Sequence, residues 1–246
     1  MLIRLLDMNR ESVVFISPLE TGDVIMRFRL TYDGDLRPTQ RDAHESNKYP
    51  EPLSAHKLLI RRRFHAQLKH LWATNRFLRD HKVNPESRNP YSQGYHAGSS
   101  LWSTRNGGEP MWQAISRNYH RDGFCYVPLV REEFSLLCSL NVIVLRRDAP
   151  GSVVSAGDLD NRIKTIIDCL RIPRSKNELP TGASPSSDED PFFVLMEDDN
   201  QVTGLTVETD VLLDPPTDDD RSMKTRLMIT VELRPYEANP FNINFS

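Results

Sequence analysis

The segment Gly157-Asp158-Leu159-Asp160-Asn161-Arg162-Ile163-Lys164, continued as Thr165-Ile166-Ile167-Asp168-Cys169-Leu170, decides how the chain is read. Leu159, Ile163, Ile166, Ile167 and Leu170 recur at the spacing of one apolar helix face. Asp160, Lys164 and Asp168 share a different face. The spacing predicts a helix from about Leu159 or Asp160 to Leu170, packed on a sheet by its aliphatic face and closed by Pro173. Asp158 stands just before it, where the positive end of the helix dipole favours a carboxylate. Taken alone, the same pattern is that of a capped helix, with Asp160 as N-cap and Lys164 and Asp168 as rungs of a salt-bridge ladder.

The flanks of this helix are strands. Residues 136–145, β-branched around Asn141-Val142-Ile143-Val144-Leu145, read as a central strand, with 124–130 as a short strand before it. Beyond the helix, 174–191 reads as a flexible Pro/Ser/Asp-rich insertion. Residues 192–196 form an apolar strand, 205–213 a weakly alternating one, and 225–234 a strand with Leu227, Ile229, Val231 and Leu233 on one face. Towards the N-terminus, 24–32 alternates as a half-buried strand. Ser54 is placed to cap a long helix from 55 to about 79, whose core stripe is Ile60, Phe64, Leu68, Leu71 and Trp72. Residues 1–22 read as an arm or edge strand, and 83–123 as an inserted loop with a short helix near 112–117. Residues 236–246 read as a loose tail. The order β, α, ββ, α, βββ gives an α+β fold with a mixed, mostly antiparallel sheet and two packed helices. One domain is expected, with its core at about 24–82 and 124–235 and insertions at about 83–123 and 171–192.

Composition narrows the function classes. At 246 residues, with 38% apolar and 26% charged residues, the chain suits a soluble globular domain. No apolar run approaches the roughly 20 residues of a membrane span, and the N-terminus carries no secretory signal. Cys125, Cys138 and Cys169 are odd in number and far apart, which argues against a disulfide framework or zinc motif, fits a reducing cytoplasm and reads as three small buried hydrophobes. The net charge of -3 is unevenly spread: residues 177–220 hold thirteen acids and no Lys or Arg, leaving 31 basic against 21 acidic residues elsewhere. The distribution leaves room for a local positive surface for nucleic acid without deciding for it. The candidate contacts are Lys57, Arg61, Arg62, Arg63, Lys69 and Arg76 on the first helix; a solvated charged face is the plainer alternative.

A second acidic motif, Glu197-Asp198-Asp199-Asn200-Gln201-Val202, follows the strand at 192–196. Asp158, Asp160, Asp198 and Asp199 form an all-oxygen set of the kind that takes a hard divalent cation and leaves positions for water and phosphate oxygens. Lys164 is placed to neutralise charge developing on a phosphoryl group.

These residues resemble the RusA-type Holliday-junction resolvases. The likeness lies in Asp158-Leu159-Asp160-Asn161, Lys164, Asp168 with Leu170, and Glu197-Asp198-Asp199 with Gln201-Val202, and is specific from 157 to 202. It implies a homodimeric α+β endonuclease that uses Mg²⁺ or Mn²⁺ to cut four-way DNA junctions by paired nicks. By resemblance, Asp158, Asp160 and Asp199 are the catalytic and metal-binding carboxylates and Lys164 the important lysine. Asp198 orients Asp199 or binds a second ion. Asn161 and Gln201 hold the carboxylates in place, and Asp168 forms a structural salt bridge with Lys164. The chain is longer and more acidic than such enzymes, and the segments 83–123 and 174–191 have no counterpart in them. A resolvase-like fold kept as a catalytically silent DNA- or protein-binding module is the alternative, and hydrolysis of a small phosphoester is a third.

Overall fold

The β-branched run around Val142 forms a central strand, and the site is arranged around it. The computed structural model describes residues 3–7, 10–14, 25–39, 51–83, 108–147, 158–214, 225–237 and 242. In chain order the strands are β1 (Ile3–Asp7), β2 (Arg10–Val14), β3 (Met26–Gly34), β4 (Lys82–Val83), β5 (Glu109–Pro110), β6 (His120–Arg121), β7 (Phe124–Val130), β8 (Leu136–Arg146), β9 (Phe192–Met196), β10 (Val202–Val211) and β11 (Thr225–Pro235). The helices are α1 (Leu53–Thr74), α2 (Arg76–Asp80), α3 (Met111–Asn118) and α4 (Asp158–Leu170). The fold is α+β, with mixed sheets.

The main sheet has the order β10-β8-β11-β3, with β10 parallel to β8 and the other neighbours antiparallel. A smaller sheet has the order β6-β7-β9, in which β7 and β9 are parallel. One sheet was expected, but the strands around the site divide between these two, because those on either side of residues 131 and 197 break at the same level; β1-β2 and β4-β5 are separate two-stranded pairs. Arg131–Ser135 separates β7 from β8, and a short turn at 197–201 separates β9 from β10. A parallel strand pair thus passes from one sheet to the other through a shared joint. Ser135 takes the left-handed φ of 48° there, and Glu197 N–H donates to Val130 O across the joint at 3.0 Å. The second acidic motif of the sequence lies in this joint.

One face of the main sheet is the core. Leu140, Val142 and Val144 of β8, Leu227, Ile229, Val231 and Leu233 of β11 and Leu30 of β3 are buried with Ile60, Phe64 and Leu68 of α1 and Ile163, Ile166 and Leu170 of α4. Each such side chain contributes about 1.5–3 kcal/mol, so alternation in the strands and the three-four spacing in the helices carry the fold. The smaller sheet has its own aromatic cluster, where Phe124 meets Phe192 edge-on at 5.6 Å. His65 of α1 stacks on Phe192 at 4.5 Å and accepts the Phe193 N–H through Nδ1 at 2.8 Å. Burial pushes the His65 pKa down, as suits a ring nitrogen acting as an acceptor.

Several expectations are corrected. Ser54 is not an N-cap: α1 starts at Leu53 after an extended Pro52, with no side-chain cap. The helix does not run unbroken to Arg79. It stops at Thr74, and the Asn75 side chain accepts from Leu78 N–H at 3.1 Å, starting α2 instead. Of the segment read as an arm or edge strand, β1 and β2 pair with each other and, among the described residues, not with the main sheet. The segment 171–192 is not a loose insertion. Its acids fold onto the basic face of α1, with Arg61–Glu178 at 3.0 Å, Arg62–Glu189 at 2.6 Å and Lys69–Asp188 at 2.5 Å. Opposite charges widely separated in sequence neutralise one another there. In the expected tail, buried Asn242 donates to Phe134 O at 2.9 Å.

Candidate active site

α4 and β10 form the two walls of a cleft of about 650 Å³. Leu159, Ile163 and Ile167 come from the helix, Val202, Leu205 and Val207 from the strand, and Asp160, Lys164, Asp168 and Asp199 supply the polar groups. The cleft follows from the connection between parallel β8 and β10: the intervening helix packs one face on the sheet and turns the next face towards the outer strand. The structure therefore brings residues of both acidic motifs to one surface.

It does not bring them to one point. Arg171, just after α4, donates from Nη2 to Asp168 Oδ1 at 2.7 Å, and its Nε lies 3.6 Å from Asp199 Oδ2. Asp199 therefore stands near the level of Asp168, eight residues and about 12 Å of helix rise from Asp160. Among the described residues no three His, Cys, Asp or Glu side chains form a metal-sized group. Asp158 opens the helix with its backbone, and its side chain lies outside the described residues. The donor chemistry of Asp160 and Asp199, hard carboxylate oxygen, suits Mg²⁺ or Mn²⁺, which needs only one or two protein carboxylates.

Asp198 caps the turn at 199–201, accepting from Asn200 N–H at 3.1 Å, while Gln201 Oε1 accepts from Asp198 N–H at 3.3 Å. This reciprocal cap fixes the direction of the motif. Arg174 closes on it, with Nε and Nη2 at 3.1 and 2.9 Å from the Asp198 carboxylate and Nη2 at 2.5 Å from Asp199 Oδ1. That guanidinium holds the Asp198 pKa down to about 2. Gln201 is buried, and its Oε1 accepts the backbone N–H of Glu197 and Asp198 rather than touching a carboxylate. Asn161 keeps its backbone carbonyl on Thr39, with N–H and Oγ1 at 3.2 and 3.0 Å.

Asp168 does not pair with Lys164. Its partners are Lys57 Nζ at 2.6 Å and Arg171 Nη2 at 2.7 Å, all three side chains under one-tenth exposed. The reason is packing: α1 crosses α4 on the core side, so the buried end of the stripe meets α1 and only Asp160 and Lys164 face solvent. Burial alone raises the Asp168 pKa, but Lys57 and Arg171 outweigh it and hold the carboxyl below its usual range. Arg61 joins the network through Asp168 O at 2.8 Å and Glu178.

The expected DNA contacts on α1 are corrected accordingly. Lys57 and Arg61 are buried, and Arg62 and Lys69 are engaged by Glu189 and Asp188. Arg63 and Arg76 remain exposed. Sequence reading missed Arg171 and Arg174, although the position of Arg171 three residues after Asp168 was a signal for the first. It also missed a second acidic neighbour of the joint. Tyr119 Oη lies 2.9 Å from Glu133 Oε2 and 3.2 Å from Glu197 Oε2. Burial, with repulsion from Glu133, raises the Glu197 pKa.

Comparison with known protein families, curated proteins and solved structures finds no match to this chain. Among the described residues no helix is long and apolar enough to cross a membrane.

Proposed function

We propose that the chain is a Mg²⁺- or Mn²⁺-dependent DNA endonuclease that resolves four-way junctions by paired cuts, acting as a homodimer. The observation that supports this most is the shared cleft: Asp160 and Lys164 come from one motif and Asp199 from another 39 residues on, yet all three line it. Their types and order agree with the RusA-type resemblance of 157–202.

In this reading Asp160, with Asp158 beside it in sequence, would hold the divalent ion. When bound, the ion supplies Lewis-acid polarisation of the phosphoryl group and a more acidic water. Lys164, exposed and without a carboxylate partner among the described residues, meets the negative charge that grows on the phosphoryl oxygens. Asp199 faces the same space. The aliphatic walls make one side of the cleft less polar than water, which strengthens these charges. Two cuts in one junction require two such clefts, which a twofold dimer provides.

One observation favours the second reading, a non-catalytic DNA-binding module. Asp198 and Asp199 are already neutralised by Arg174. A panel of junction, flap, single-stranded and linear DNAs, each incubated with Mn²⁺ and with chelator, separates the two. The nuclease reading expects Mn²⁺-dependent cuts in the branched substrates; binding without any cleavage supports the module.

A further inference from the structure

On α1, Lys57 and Arg61 are buried, Arg62 and Lys69 are paired with Glu189 and Asp188, and Arg63 is exposed. Further exposed cations lie beside the joint. His120 and Arg121 form β6, while Arg174 and Lys176 lie in the turns that leave α4, and all four are exposed. Arg121 Nη1 donates to Pro173 O at 2.7 Å, which ties the two segments together and sets this guanidinium beside the residue before Arg174. That bond uses one of the five N–H donors of a guanidinium. His120, Arg121 and Arg174 line a common cavity of about 180 Å³ with Glu197 and Asp198.

We infer that the DNA phosphate backbone reaches the cleft over Arg121, Arg174 and Lys176, with His120 beside them; the proposal rests on the nuclease reading. The nearby acids are Asp122, Glu178, Glu197, Asp198 and Asp199; Glu178 is paired with Arg61 and Arg171, and Asp199 with Arg171 and Arg174. Asp198 is neutralised by Arg174, and the Glu197 carboxyl is turned onto Tyr119. Arg174 has a side chain about half exposed and is the residue nearest the acidic turn. It exchanges carboxylate for phosphate as a backbone comes within reach, keeping charge-assisted hydrogen bonds in both states. Arg121, in the same cavity, and Lys176, two residues on in sequence, add positive charge near it.

The test is the salt dependence of junction binding by the full chain in Ca²⁺. Arg121→Gln, Arg174→Gln and Lys176→Gln, singly and combined, are compared with Arg62→Gln and Lys69→Gln. Each lost phosphate contact lowers the slope of log K against log salt by roughly 0.9, so the triple variant is expected to lose about two to three units. Arg62→Gln and Lys69→Gln leave the slope unchanged. An unchanged slope in the triple variant, or an equal loss in the α1 variants, overturns the path. Mn²⁺-dependent junction cleavage, run alongside, separates the two claims. Cleavage by wild type with an unchanged slope in the triple variant removes the path alone; neither binding nor cleavage by wild type removes the nuclease reading with it.

Discussion

Replacing Asp168 by asparagine removes the charge at the centre of the buried network that joins α1, α4 and the segment after it. The Lys57 and Asp168 side chains are 9% and 8% exposed and Arg171 is 4% exposed, so neither cation regains water when its carboxylate is lost. Arg171 keeps Glu178 at 3.1 Å and Asp199 at 3.6 Å, but among the described residues Lys57 has no other ion-pair partner. Breaking a buried pair by removing one partner costs about 3–5 kcal/mol. For a chain of this size that is a fall in Tm of roughly 6–20 °C. Calorimetry and urea unfolding of wild type, Asp168→Asn, Lys57→Met and the double variant give the test. The double variant should lose clearly less than the sum of the singles, because it leaves no stranded ammonium. The pH dependence is fixed in sign. The folded Asp168 pKa is depressed, so the unfolded chain binds more protons through that range, and the contribution is present above the unfolded pKa of about 4 and lost as pH falls through the folded value. A cost below about 1 kcal/mol for Asp168→Asn, with strict additivity in the cycle, would refute the reasoning.

Lys164→Ala should leave the unfolding free energy within about 0.5 kcal/mol of wild type, because the side chain is exposed. Its cleavage rate should fall by about 10²-fold or more, measured in single turnover. Glu197→Gln should raise stability at neutral pH. The folded pKa of Glu197 is raised, so the native state binds more protons than the unfolded one and is penalised as pH rises through that range; Tm scans at pH 4.5 and 7 report a smaller drop in the variant. Phe193→Ala should cost about 3–5 kcal/mol in urea unfolding, because the ring is 5% exposed and packs on His65, Trp72 and Trp112.

The regular elements were legible because each has a period. Residues 136–145, 192–196 and 225–234 alternate or run apolar and are strands, and 159–170 repeats at helical spacing and is a helix. The break at Asn75 was hidden because the apolar stripe runs up to Trp72 and the stop is a single side-chain cap. The two-sheet arrangement was hidden because nothing local at Arg131 or Glu197 marks a joint; it exists only once the strands are paired. Of the site, Asp160, Lys164 and Asp199 were read from residue type and spacing, and the cleft holds all three. Ion pairing was the weak point. Lys57 and Asp168 lie 111 residues apart, Arg62 and Glu189 lie 127 apart, and charge counts along the chain carry no information about who meets whom. The basic face of α1 and the acidic 178–190 segment were each noticed, but separately. Of the expected DNA contacts, Lys57 and Arg61 are buried and Arg62 and Lys69 carry ion pairs.

The most direct measurement is single-turnover cleavage of a labelled four-way junction in Mn²⁺ by wild type, Asp160→Asn and Asp199→Asn, with junction binding measured in Ca²⁺. The account predicts paired cuts by wild type and losses of at least about 10²-fold in both variants, with binding kept within a few-fold. Cleavage by both variants at the wild-type rate, or no metal-dependent cleavage by wild type, would contradict it.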